Sequence, residues 1–192
     1  MSTLSQQLPI DVYQQNNNSI VVTTDQGTTL FDGTASQLSF TPTTSIPANM
    51  QVTANSSQGM IGGLSQVTVD GQPIATSQNG NIAANLQPRD VTLPAFNRQL
   101  DQLAGNTIVA LQQADPTVGT GPTGLFTDAG AAVDPSNPAQ VPGLAASIAV
   151  NASVDPSQGG QAWRIQAGAQ ATTQGPTGSN TTVLGFIQAM NQ

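Results

Sequence analysis

The chain has 192 residues, only 7% of them charged, and a formal net charge of −7 with Asp as its only acid. Its three cations, Arg89, Arg98 and Arg164, are too few for the basic footprint of a nucleic-acid binder. His, Cys, Lys and Glu are all absent, which removes the base of a nucleophilic triad and the donors of a Cys/His metal site. The length predicts one domain plus a smaller lobe, with enough chain for a real core. A surface of Gln, Asn, Ser and Thr is hydrated but weakly repulsive, and suits a subunit that packs beside copies of itself as well as adhesins and phage fibres.

In chain order, Leu4, Leu8 and Ile10 read as the end of a helix running into a first strand. Residues 10–14 and 19–24 are strand-like, joined by the Asn16–Asn18 turn. Residues 28–31 and 36–40 follow, with Asp32-Gly33 between them as a hairpin signal. Pro42 and Pro47 break the pattern, 50–54 reads as another strand, and 59–65 as a bend of closely approaching backbones. Asp70-Gly71, between 66–69 and 72–76, is the clearest hairpin, since a type I′ turn needs two residues at positive φ. Asn79-Gly80 is a further turn, and 81–86 leads into a helix. Six to eight short strands at this spacing predict a small antiparallel sheet, barrel or sandwich.

The stretch 88–113 carries the longest helical period. Leu93, Phe96, Leu100, Leu103, Ala104, Ile108 and Leu111 recur at spacings of three and four, predicting one buried face. Thr92 is the expected N-cap, Pro94 fits the first turn, and Asp115-Pro116 ends the helix. Residues 115–143 predict a Pro- and Gly-rich ordered loop, 147–150 a strand, and 170–178 a polar segment. Asn180 then caps a short helix with Val183, Leu184, Ile187 and Met190 on one face. The chain ends inside that helix, which suggests a piece of a longer protein. Its start has neither a charged n-region nor an apolar h-region, so no cleaved secretory signal is expected, and no apolar run is long enough to span a membrane.

The chemistry-bearing patterns are weak. Gly119, Gly121 and Gly124 spell G-x-G-x-x-G, but a helix precedes them, Pro122 interrupts, and no helical run follows, so a loop is expected. Most of the Asp residues stand at turn positions. No catalytic, cofactor-binding or metal-ligating residue is assigned. Trp163 beside Arg164 offers either a stacking platform or a lone core Trp, and the core reading is favoured. Arg89-Asp90 is expected to be an exposed ion pair.

The order of segments carries more information than any single motif. RDVTLPAFNRQLDQLA at 89–104, approached by GNIAANL, resembles the run that opens a long helix in the flagellar hook-associated protein 1 family, FlgK-type. SIVVTTDQGTTLFDGTASQLSF at 19–40 resembles that family's β region. GLFTDAGAAV, followed by GLAASIAVNASVDPSQGGQAWRIQAG, resembles the return segment of alphaproteobacterial members. The resemblance spans roughly residues 8–192, without the family's terminal helices.

The resemblance implies a structural protein of the hook–filament junction. It would be extracellular and exported without a cleaved signal. Its implied partners are the hook protein, the second hook-associated protein, other copies of itself and an export chaperone, with no nucleic acid and no membrane insertion. The expected fold is α+β: the end of a helical region at 1–8, a β-rich outer domain at 9–86, and a helical and return region at 87–192 with helices near 92–113 and 180–191. The alternative is a phage-tail or adhesin-type surface module. A carbohydrate-binding module built on Trp163 is a third reading.

Overall fold

The computed structural model describes residues 2–16, 18–42, 45–46, 64–74, 79–119, 123–134, 137 and 141–191. The expected strand at 50–54, the Gly-rich bend at 59–63 and the centre of the GTGPTG loop lie outside these residues. The chain forms two compact units, Met1–Ala95 and Phe96–Gln192.

In the first unit, helix α1 (Ser2–Gln7) leads into strands β1 (Ile10–Gln14), β2 (Ile20–Thr24), β3 (Thr29–Asp32) and β4 (Thr34–Ala35), which pair in sequence order as an antiparallel meander. Strand β5 (Leu38–Phe40) then starts a second sheet with β6 (Val67–Val69) and β7 (Gln72–Pro73). The fold class is α+β as expected, and the described strands of this unit form two open antiparallel sheets, with no closed barrel among the described residues. Both sheets are short, and Pro73 lies on an edge strand, where its missing N–H is tolerated. Leu8, only 2% exposed, joins Val67, Val69 and Ile74 in this unit's core, with Ile10, Leu30, Ile82 and Leu86 packed around them.

The Asp70-Gly71 turn has the expected left-handed pair, φ 51° and 80°. At Asp32-Gly33 only the glycine is left-handed, φ 75°. The Gln37 N–H donates to Asp70 Oδ1 at 2.8 Å. This bond, with a further one from Ser36, holds the Asp70 carboxyl below the usual carboxylate range. A depressed folded pKa contributes stability that is complete above the unfolded value of about 3.9 and disappears as pH falls through the folded value. Asp70→Asn is therefore expected to narrow the gap between acid and neutral melting temperatures, read by thermal denaturation from pH 2 to 6. An unchanged gap would remove the turn's role.

The main helix begins earlier than its sequence pattern predicts. Helix α2 (Asn81–Gln87) continues through a π-turn at Pro88–Thr92 into α3 (Leu93–Ala114). Gly80, not Thr92, is the N-cap. The Leu93 N–H reaches back five residues to the Pro88 carbonyl, so the wide turn absorbs a stretch in which Pro88 and Pro94 withhold two donors. Arg89 and Asp90 lie in this turn. Their side chains are 17% and 15% exposed, so the expected exposed pair is largely covered. Arg89 Nε meets Asp90 Oδ1 at 2.5 Å, Nη2 donates to the Ser65 carbonyl at 2.9 Å, and the guanidinium stands 5.7 Å from the Phe40 ring centroid. The pair thereby ties the helix to both ends of the segment that joins β5 and β6.

In the second unit, β8 (Phe126–Asp128) pairs antiparallel with β9 (Ile148–Val150), and helices α4 (Leu144–Ser147), α5 (Arg164–Ala167) and α6 (Thr181–Met190), with a short 3-10 turn at Pro156–Gln158, are among its described elements. The core is Ala104, Ile108, Val109, Val133 and Leu144, with Phe126, Val141, Ala145 and Ile148 against it.

Candidate assembly interface

Helix α3 places its largest apolar side chains on its exposed side. Leu93, Phe96 and Leu103 are 54%, 55% and 65% exposed, and Leu100 is exposed as well. The buried side consists of Asp101, Ala104, Gly105, Ile108, Val109, Leu111 and Gln112. The single buried face expected from Leu93 to Leu111 is thus half right. Ala104, Ile108 and Leu111 are inside, whereas the four bulky residues before them sit about one position round the helix and face outward. Beside the outward-facing stripe the buried residues are small or polar (Asp101, Ala104 and Gly105), and the large buried ones, Ile108, Val109 and Leu111, come further along the helix.

Helix α6 repeats the arrangement. Its expected apolar face is mostly open: Leu184, Ile187 and Met190 are exposed, Val183 is half-buried, and Thr182 and Phe186 are the buried residues. Asn180 occupies the cap position without a side-chain cap bond. Contact with α3 comes near Gly185, where an added Cβ would stand 3.3 Å from the Ala114 carbonyl oxygen. The two helices therefore approach through small residues and leave their apolar stripes free of each other.

Polar side chains brace this surface from within. Asp101, 6% exposed, accepts from the Gly143 N–H through Oδ2 and from the Ala145 N–H through Oδ1, both at 2.9 Å. These are orphan donors at the start of α4, so α3 supplies the cap that Gly143 cannot. At the other end of α3, Asp115 accepts from the Thr117 N–H at 2.9 Å, the Thr117 hydroxyl at 2.6 Å and the Ala169 N–H at 2.7 Å. Asn151 Nδ2 donates to the Gly124 carbonyl at 2.7 Å, which fixes the loop before β8. Sequence reading assigned no role to Asp101. The available signal was a charge one turn ahead of Ala104 and two turns ahead of Ile108, on the face that the helix buries.

Trp163 is half-buried rather than a core residue, and the Arg164 guanidinium stands 5.5 Å from its ring centroid. That placement covers part of the ring a sugar would need. Gly119 and Gly124 belong to irregular chain and not to a strand–turn–helix unit, as the loop reading requires. Among the described residues no group of three or more Asp could hold a metal ion, and no helix is long and apolar enough to cross a membrane.

The model of the flagellar hook-associated protein FlgK helical domain matches residues 1–115. The chain belongs to this family. It is a structural, hook-associated component of the bacterial flagellum, the organelle of motility. No curated protein and no solved structure matches the chain at a significant level. The FlgK match ends one residue after α3, so it takes in both sheets and the whole continuous helix from Asn81 to Ala114. It decides the flagellar reading over the phage-tail or adhesin alternative. Residues 116–192, where the resemblance to alphaproteobacterial return segments was drawn, lie outside the match.

Proposed function

We propose that this FlgK-family chain acts at the hook–filament junction. There it joins the hook protein below to the second hook-associated protein above, and copies of itself alongside. It leaves the cell through the flagellar secretion channel without a cleaved signal, guarded by an export chaperone until it is placed. It performs no catalysis. The β-rich segment 9–86 faces outward and adds lateral contacts, each weak alone, which gain strength once neighbouring subunits are held at high effective concentration.

The observation that carries this reading is the stripe of Phe96, Leu100 and Leu103, exposed on a helix that begins inside the matched family domain. Contiguous exposed apolar side chains on a soluble chain mark an interaction site. A surface with few charges also lowers the repulsion between identical copies. Deleting the gene for this chain is expected to leave cells with hooks but no filaments and with filament subunits in the medium. Normal filaments on the deletion strain would overturn the junction role.

A further inference from the structure

The turn that starts the main helix holds the chain's only Asn-Gly pair, Asn79-Gly80. Asn79 is exposed and lies outside any helix or strand. Gly80 has φ 91° and ψ 162°, a region of backbone space that L side chains rarely enter. An added Cβ there would also stand 2.6 Å from the Gln7 carbonyl oxygen. The fold therefore requires glycine at 80, which has no side chain of its own to crowd the backbone nitrogen that follows Asn79.

From this geometry we infer that Asn79 is a spontaneous deamidation site, a slow covalent modification of the folded protein at the entrance to its longest helix. The backbone nitrogen of Gly80, on losing its proton, attacks Cγ of Asn79. The new N–Cγ bond forms as the Cγ–Nδ2 bond breaks, and ammonia leaves. Water then opens the five-membered succinimide. Attack at Cγ gives aspartate, and attack at the main-chain carbonyl gives isoaspartate, with one water consumed and one ammonia released overall. Either product places a carboxylate beside the N-terminus of α2. That end has no side-chain cap bond, and the helix dipole favours a negative charge there. The aspartate product thus keeps the backbone of the turn and adds a charge the helix end favours, whereas isoaspartate lengthens the main chain there by one carbon.

Several competing positions are better protected. Asn85, Asn97 and Asn106 sit inside helices, where the following backbone nitrogen is committed to the helical ladder. Asn151 is buried with its side-chain nitrogen bonded to the Gly124 carbonyl. In the Asp70-Gly71 pair the carboxyl is kept ionised by its bond from Gln37, and a carboxylate is a poor target for a nitrogen nucleophile.

The test is incubation of the folded chain at mildly alkaline pH and 37 °C, followed by peptide mass mapping and isoaspartyl methyltransferase labelling. A gain of one mass unit is expected, concentrated in the peptide that holds Asn79 and faster there than at any of the other asparagines. Most of the gain and of the label should disappear in Asn79→Gln, whose fold is checked by circular dichroism. Equal gain in the wild type and Asn79→Gln, or a gain centred on another asparagine, would overturn the assignment. A wild-type chain that takes up no label and no mass would do the same.

Discussion

Replacing Asp101 with alanine is expected to destabilise the protein by about 2–5 kcal/mol, because it strands two covered backbone donors that each cost about 1–3 kcal/mol when unpaired. The donors belong to Gly143 and Ala145, and the carboxylate reaches them from 42 and 44 residues away in sequence. Water can replace the lost acceptor only poorly, since Gly143 N–H lies in a buried bond and Leu144 between the two is 0% exposed. Asp101→Asn should fall between alanine and wild type. Its single oxygen can serve one N–H, while its own NH2 would face the other. Denaturant unfolding with a constant m-value measures the change. A loss below about 0.5 kcal/mol for Asp101→Ala, the size of an ordinary surface change, would show that the clamp does not hold α4 in place.

Local signals made some elements legible and not others. Strands β1, β2 and β3 and the Asp70-Gly71 hairpin follow alternation and turn chemistry that are written in adjacent residues. The short pair of β8 and β9 was half hidden. The turn after β8 is made by Ala129 at φ 46° followed by Gly130 at φ 96°, and an alanine gives no warning of a left-handed position. It is held by the local bond from Gly130 N–H to the Thr127 hydroxyl oxygen and by longer-range bonds from Ser147 Oγ to Asp128 and from Ala129 N–H to the Ser147 carbonyl. The main helix was misplaced at its start because Pro88 and Pro94 are ordinarily boundary residues. The π-turn between them lets the helix run on, and no sequence period announces it.

The apolar stripe of α3 is legible in the wrong sense. Periodicity shows that Leu93, Phe96, Leu100 and Leu103 share a face, but it cannot distinguish a face buried by the same chain from one reserved for another molecule. Burial of a large apolar side chain stabilises by about 1.5–3 kcal/mol wherever the covering surface comes from. The flanking residues hold the information that was missed. Asp101, Ala104 and Gly105 form the close-packed side, where small size and a capping carboxylate matter more than hydrophobicity.

That distinction sets the final expected result. Phe96→Gln together with Leu103→Gln should leave the isolated chain within about 0.5 kcal/mol of wild type, as exposed changes to a good helix former do. Core truncations on the same helix should behave oppositely: Ile108→Ala, at a position 2% exposed, should cost about 2–5 kcal/mol. In cells the Gln pair should be the more damaging change. An apolar anchor removed from the centre of an interface commonly costs 2 kcal/mol or more, on the order of thirtyfold in affinity per contact, and a ring of copies repeats that loss at every seam. A strain carrying both substitutions should therefore export the protein yet fail to retain filaments, with filament subunits recovered from the medium. Retained filaments would show that this face of α3 points to solvent in the flagellum. A drop in the stability of the purified double variant of more than about 1 kcal/mol would instead show that Phe96 and Leu103 are covered within the isolated chain, and would remove the reason for assigning them to an interface.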